Sequence, residues 1–419
     1  MRRSLRLLSG LLLPALFYVS TAFTGKAEEK KEDKKFIGEV FRVAEKQYAA
    51  VLEQSKDLAR YPRTTTPEGV LKHVPISDWT GGFWPGNLWY LYQYTGNKSW
   101  EGEAVKWTES LEANKFNTSH HDLGFMMYCS YGNAYRLLQK PAYKDVLVQS
   151  ARSLLSRFNP RVGCIESWNS RLSWDGRSMW HFPVIIDNMM NLELLFFASK
   201  VTGDPRYRQA AVTHAETTLK NHFRPDYSSY HVVNYDTLTG QVLHRQTCQG
   251  YSDNSTWARG QAWAIYGYTM TYRETGDKKF LEAARKMADF YIHHPNLPAD
   301  KVPYWDFNVD QPGYTPDWAY AARKRAYTPR DASAAAIVSS ALFELSGYLG
   351  RKGKAYYDFA VASLRSLSSP AYLAAPGTNA GFLLKHSVGS FPHNQEIDVP
   401  LVYADYYFLE ALLRYRNAR

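Results

Sequence analysis

Apolar and polar positions along this chain recur at the helical period over most of its length, and the predicted helices are of two kinds. Segments such as Phe125–Leu138, Val184–Lys200, Trp257–Arg273 and Ala332–Leu349 are apolar on most sides, as helices enclosed by other helices are. Segments such as Glu101–Ala113 and Asp277–Tyr291 keep a polar face for solvent.

A recurring turn joins one kind to the other. Thr95-Gly96-Asn97 with Trp100, Thr202-Gly203-Asp204 with Tyr207, and Thr275-Gly276-Asp277 with Phe280 share one design. Glycine supplies the left-handed cap of one helix and Asn or Asp caps the next, which is the tight turn of an αα-hairpin. Looser copies stand at Lys140-Pro141 with Tyr143 and at Arg351 to Lys354 with Tyr356. These five turns, plus pairing of a helix near Val402–Arg416 with one near Phe36–Lys56, make six hairpins. Closing them into a ring buries every apolar face. The expected fold is therefore all-α, an (α/α)6 barrel in one domain over 36–419. Irregular spacing between the turns, and long loops, disfavour an open superhelix. Between Tyr227 and Thr247 the alternating Tyr230–Tyr235, a Thr239-Gly240 turn and Val242–His244 predict a small β-hairpin forming a wall of the site.

The first 35 residues follow another logic. Met1-Arg2-Arg3, an apolar run from Leu7 to Val19, and Ser20-Thr21-Ala22 read as a cleaved export signal over 1–22. As a membrane anchor the run is short and interrupted by Ser9, Gly10 and Pro14. The charged run Lys26 to Lys35 reads as a disordered spacer completing residues 23–35. A periplasmic or secreted protein is expected, with no membrane contact beyond the signal. Three cysteines, Cys129, Cys164 and Cys248, are too few for a disulfide framework and read as small core residues. Formal charge is +10, but residues 1–35 hold eight Lys/Arg and four Asp/Glu, so +6 remains for the folded part. That excess attracts an anionic sugar, and no basic cluster interleaved with a recognition motif points to nucleic acid.

Polar and aromatic residues gather where the enclosed helices begin: Trp79 to Trp84, His121-Asp122, Asp187, Trp257 to Trp263, Asp331 and Ser387 to Asp398. Helix N-termini offer unpaired N–H groups and a positive dipole end, so this end is expected to be an anion-binding pocket. Asp187 follows Pro183-Val-Ile-Ile, with Pro183 read as part of a first helical turn. A carboxyl so flanked is costly unless it is paired or works, and desolvation raises its pKa toward a range useful for proton donation. Asp122, in Ser119-His-His-Asp122-Leu-Gly, sits where an N-cap belongs. Each aspartate is open to a structural or a catalytic reading, and together they form the carboxyl pair that glycosidases use. Nine of the twelve tryptophans (Trp79, Trp84, Trp168, Trp174, Trp180, Trp257, Trp263, Trp305, Trp318) fall in loops or helix starts and offer flat faces for sugars or for packing. Arg259 reads as a grip for a carboxylate or sulfate, or as a salt bridge. Adjacent His120-His121 and His293-His294 face different ways, and no metal-ligand spacing, phosphate loop or Gly-x-Ser-x-Gly elbow occurs, so neither metal nor cofactor is expected.

Taken in order, Trp79-Thr-Gly-Gly-Phe-Trp84-Pro-Gly, His121-Asp122-Leu-Gly-Phe, Ile185-Ile-Asp187-Asn-Met-Met-Asn, Ser255-Thr-Trp257-Ala-Arg259-Gly-Gln-Ala-Trp263-Ala-Ile-Tyr-Gly, Asp331-Ala-Ser-Ala-Ala-Ala and Asp405-Tyr-Tyr-Phe-Leu-Glu-Ala-Leu are specific. From about Phe36 to Arg416 the chain resembles the unsaturated glucuronyl hydrolases of glycoside hydrolase family 88. The resemblance implies the (α/α)6 barrel, a small unsaturated acidic oligosaccharide as substrate, and hydrolysis that begins by hydrating the C4=C5 vinyl ether left by polysaccharide lyases. It implies Asp187 as general acid/base, Asp122 as the second essential aspartate, and His231, Gln249, Thr247, Trp257, Arg259 and Trp263 as binding positions. Members that accept sulfated fragments carry Ser-x-x-Ser-x-Lys near the C-terminus. Here Ser387-Val-Gly-Ser390 repeats the serines and Pro392 replaces the lysine, with Lys385 or His393 as possible substitutes. The nearest rival is an unsaturated rhamnogalacturonyl hydrolase acting on pectin fragments, and a rival of another class is a non-catalytic sugar-binding toroid.

Overall fold

The computed structural model describes residues 15–317 and 326–418, with side chains from residue 31 onward, and the six expected hairpins are present. Its helices are α1 (Ala15–Gln54), α2 (Phe83–Thr95), α3 (Lys98–Glu109), α4 (Asn133–Leu138), α5 (Pro141–Leu155), α6 (Leu192–Thr202), α7 (Pro205–Asn221), α8 (Ala258–Thr275), α9 (Lys278–His293), α10 (Ala332–Tyr348), α11 (Lys354–Leu367) and α12 (Val402–Asn417). A π-helical segment, Gly124–Gly132, leads into α4, and a 3₁₀ segment, Ile186–Asn191, leads into α6.

The even-numbered helices form a closed inner ring: α2 packs on α4, the π-helical segment before α4 packs on α6, α6, α8, α10 and α12 follow in turn, and α12 returns to α2. Each hairpin adds one outer helix, and α1 packs against α2 and α12 to complete the sixth pair. Burial follows the expected division. On α10 nearly every residue from Ala332 to Leu345 is buried, whereas α9 buries only Phe280, Ala283, Ala284, Met287, Ala288 and Tyr291. That i, i+3, i+4 stripe is the mark of a helix with one dry face.

The repeated turn does what its residues predict. Gly96, Gly203 and Gly276 adopt φ of 70, 73 and 71°. Asn97, Asp204 and Asp277 accept the N–H of Ser99, Arg206 and Lys279 at 2.9, 2.9 and 3.0 Å. The threonine also has a task. Each hydroxyl donates to the carbonyl four residues back (2.7–2.8 Å) and accepts the N–H of the capping residue at 3.2 Å. One side chain thus closes the old helix and positions the new cap.

Two expectations at element boundaries are corrected. Pro183 is not in a helical turn: Pro183–Ile185 is a strand, paired antiparallel with Val232–Tyr235, which pairs in turn with Val242–Gln246. The β-branched Val184 and Ile185 suit an extended edge, and a proline with no N–H fits at a strand start. The inserted hairpin is therefore one part of a three-stranded sheet. The charged stretch read as a spacer lies within α1, and Asp33 is tied to the body by Arg365 and Tyr415 at 2.6 and 2.7 Å. Glu32 and Lys35 stand at i, i+3, a spacing of opposite charges that suits a solvated helix. Residues 1–14 of the segment read as an export signal, and Trp318, lie outside the described residues. No described helix is long and apolar enough to cross a membrane. Cys129, Cys164 and Cys248 are unbridged and buried, the packing role expected of them.

Candidate active site

A cavity of about 400 Å³ opens at the end of the ring where the inner helices begin. Trp79 precedes α2, Asp122 precedes the π-helical segment, Asp187 stands in the 3₁₀ segment before α6, Arg259 lies in the first turn of α8 and Tyr403 in the first turn of α12, and all line it. A larger cavity, about 540 Å³, sits at the opposite end among the last turns of the inner helices. There the charges neutralise one another: Arg273 pairs with Glu193 and Glu344, and Arg414 with Glu344 and Glu410. The smaller cavity holds the groups suited to chemistry.

Asp187 is buried, and burial pushes its carboxyl up to about 7; the nearby charge of Asp122 adds to the rise, while Arg259 and a hydrogen bond from the Trp263 side chain oppose it. Its Oδ2 has no hydrogen-bond partner among the described residues. Asp405 makes an instructive contrast. Burial pushes it to about 7 as well, but it accepts from the N–H groups of Leu383 and Leu384 (2.8 and 2.9 Å) and from the Tyr48 hydroxyl (3.3 Å). Asp405 is satisfied and ties α12 to α1; Asp187 is buried with an oxygen unspent, the condition of a working carboxyl.

His231 faces that oxygen, with Nε2 at 3.7 Å from Asp187 Oδ2. Its Nδ1 accepts the backbone N–H groups of Cys248 and Gln249, both at 3.1 Å. Neutral imidazole with Nδ1 so engaged carries its proton on Nε2. Burial, with Arg259 next, holds His231 well below its ordinary pKa, so it is a neutral donor aimed at Asp187.

Asp122 is not a helix cap. The residue at the cap position is Leu123, with no side-chain bond, and the Asp122 carboxylate lies 3.2 Å from both His120 Nδ1 and His121 Nε2. Burial alone would raise it, but the charge of His121 and the hydrogen bond from His120 outweigh burial and hold it below the usual carboxylate range. Burial drives His121 down to about 4. The site therefore sets an ionised carboxylate beside a protonated one, environments that push two acids apart.

The segments carrying them are locked together. Asn191 Oδ1 accepts the N–H of Phe125 at 3.1 Å, and Gly124 leaves so little room that an added Cβ would stand 2.5 Å from Asn191 Cα.

Other expected binding residues divide. Gln249 and Ser390 line the cavity; Gln249 Nε2 donates to Gly389 O at 2.9 Å, and Ser390 Oγ lies 2.6 Å from His393 Nδ1. Arg259 lines it too, but its guanidinium is engaged by Asp331 at 3.0 Å and by the carbonyls of Val388 and Gly389. It is less a spare grip than a pin holding strand Ser387–Ser390 to α8 and α10. Trp257 and Trp263 are buried behind the wall: Trp257 packs on His231 (4.4 Å between rings) and Trp263 on Phe125 and Tyr407. Neither presents an open face, because the ring core claims both. Thr247 shapes a turn, its hydroxyl accepting Gly250 N–H at 2.8 Å, and Ser387 is buried in its strand. Lys385 is turned away, donating to Pro370 O at 2.8 Å, whereas His393 lines the cavity.

Sequence reasoning missed Arg63, Arg171 and Tyr403 as lining residues, and pointed to Gln395 and Glu396 only as part of the stretch Ser387 to Asp398. Arg63 is held by both oxygens of Asp78 (3.0 and 2.8 Å) and of Glu396 (2.6 and 2.9 Å). Glu396 adopts φ of 54°, a left-handed backbone that this double ion pair helps to hold. Only a positive-φ pattern in the terminal hairpin could have signalled it, and no local residue type does.

The family model described as Glycosyl Hydrolase Family 88 matches residues 49–296. The chain is 47% identical over 412 residues to an unsaturated glucuronyl hydrolase of Formosa agariphila, covering 97% of each. The chain belongs to glycoside hydrolase family 88. Among solved family 88 structures, an unsaturated glucuronyl hydrolase specific for heparin superposes with TM-score 0.83 at 48% identity, over 91% of this chain and 97% of that one. A mutant unsaturated glucuronyl hydrolase of Streptococcus agalactiae complexed with dGlcA-GalNAc6S aligns with TM-score 0.71 at 30% identity, over 91% of each chain. The family 88 toroid agrees with the six hairpins of the fold, and the chain is a family 88 glycosidase.

Proposed function

We propose that this glycosidase removes the 4,5-unsaturated uronic acid from the non-reducing end of lyase-generated oligosaccharides, with glycosaminoglycan fragments such as heparin, chondroitin or hyaluronan disaccharides as substrates. The supporting observation is Asp187: a buried carboxyl raised to about 7, with an unspent oxygen, beside a cavity. Protonated Asp187 gives its proton to C4 of the vinyl ether, and positive charge develops at C5 and the ring oxygen. The Asp187 carboxylate then takes a proton from the water that adds to C5. The resulting hemiketal opens and releases the remaining sugar. Asp122, ionised, stabilises the developing cation electrostatically.

Support for glycosaminoglycan over pectic substrates comes from the similarity to the heparin-specific hydrolase. Incubation with unsaturated chondroitin, heparin and rhamnogalacturonan disaccharides, following loss of the double bond's ultraviolet absorbance, tests the reading. A binding protein would bind without consuming the double bond, and turnover of the rhamnogalacturonan disaccharide alone would move the assignment to pectin. The segment 1–22 is proposed to direct export to the periplasm or beyond; mass spectrometry of the N-terminus after expression in a Gram-negative host, with cleavage after Ala22 expected, checks it.

A further inference from the structure

Three guanidinium groups line the cavity, and two are spent on the protein. Arg259 is engaged by Asp331 and two carbonyls, and Arg63 by Asp78 and Glu396. Arg171 differs. No carboxylate stands within ion-pair distance of it among the described residues; its guanidinium lies over the Trp168 ring at 5.4 Å. It is exposed, so it lines the cavity at its mouth, and it stands on the short hairpin Arg171–Leu172/Met179–Trp180. His393, which lines the same cavity, bonds Ser390 and packs on Trp174, whose ring centre is 5.7 Å away. The carboxyls that do chemistry, Asp122 and Asp187, are the buried ones, so the reacting sugar occupies the deep end and the departing sugar the mouth. A guanidinium over an aromatic face keeps N–H groups for a ligand and is able to make two-point contact with an oxyanion.

Resting on the function proposed above, we infer that Arg171, seated on Trp168, recognises an anionic substituent on the departing sugar and so sets the enzyme's preference among unsaturated disaccharides. Sulfate esters and carboxylates share the required chemistry, a planar or pyramidal face of acceptor oxygens carrying full charge.

The test compares the full chain with Arg171→Gln and Arg171→Lys on unsaturated disaccharides of one linkage whose departing sugar is unsulfated, sulfated or carboxylate-bearing. In wild type kcat/KM favours the anionic substrates, and that preference weakens with added salt. Arg171→Gln lowers the ratio of kcat/KM, anionic over neutral, by about tenfold, mainly through KM, and flattens the salt dependence. Arg171→Lys keeps part of the ratio. The sulfated and carboxylate arms show which substituent is read. An unchanged ratio, or an equal loss on neutral and anionic substrates, overturns the inference. If wild type consumes none of the disaccharides, it is the proposed function that fails.

Discussion

His231 Nε2 stands 3.7 Å from Asp187 Oδ2, too far for a hydrogen bond and too close for either to ignore the other. Because the Cys248 and Gln249 amides claim Nδ1, the imidazole can only present a proton to this carboxyl, and burial keeps it neutral. The pair is held ready for a reacting group that changes charge nearby.

In the proposed mechanism Asp187 must be protonated, so kcat/KM is expected to fall as pH rises through about 7. The charge of Asp122 helps to hold that value up. In Asp122→Asn the alkaline limb of the residual activity therefore moves to lower pH. Rate profiles from pH 5 to 9 read both, and a limb that stays in place in the variant would show the two carboxyls uncoupled.

Asp187→Asn abolishes turnover and stabilises the fold in alkali. The folded carboxyl, at about 7, lies above its unfolded value of 3.8, so its stabilising proton uptake is complete below the unfolded pKa and lost as pH rises through 7. Asparagine carries no such term. Thermal melts at pH 5 and 9 are expected to show the variant's advantage growing with pH, by on the order of 2–4 kcal/mol. An advantage that does not vary with pH would contradict the raised carboxyl.

Acid destabilises the protein through its buried histidines. Burial pushes His214 down to about 3 and His121 to about 4, against 6.5 unfolded. The unfolded chain takes up these protons first, so the stability they contribute is present above 6.5 and drains as pH falls toward the folded values. His214 Nδ1 accepts the Ile165 N–H at 3.0 Å, which a glutamine oxygen can replace. Urea titrations of His214→Gln are expected to show a loss between pH 7 and 5 that is smaller than wild type's by about 2 kcal/mol.

Gly124→Ala separates the two aspartate segments. The new methyl meets Asn191 backbone at 2.5 Å, and we expect several kcal/mol of destabilisation with loss of activity, by melts and the absorbance assay. Gly96→Ala, at φ 70° with open space around it, should cost only about 1 kcal/mol and leave turnover intact.

Much of this molecule is written locally. Thr-Gly-Asn/Asp turns specify their own hydrogen bonds within six residues, and apolar periodicity separates α9's single dry stripe from α10's full burial. The sequence alone thus determined six hairpins, their inner and outer members, and the end of the ring where the chemistry collects. The apolar flanks of Asp187 likewise announced a desolvated carboxyl. Tertiary structure decided what each polar group does there. Asp122 turned from a cap toward two imidazoles, Arg259 was claimed by partners 72 and 130 residues away, Lys385 pointed outward, and Arg171 was left without an acid among the described residues. Caps and helical stripes depend on neighbours a turn apart, whereas the pairing of a buried charge depends on which distant segment closes over it.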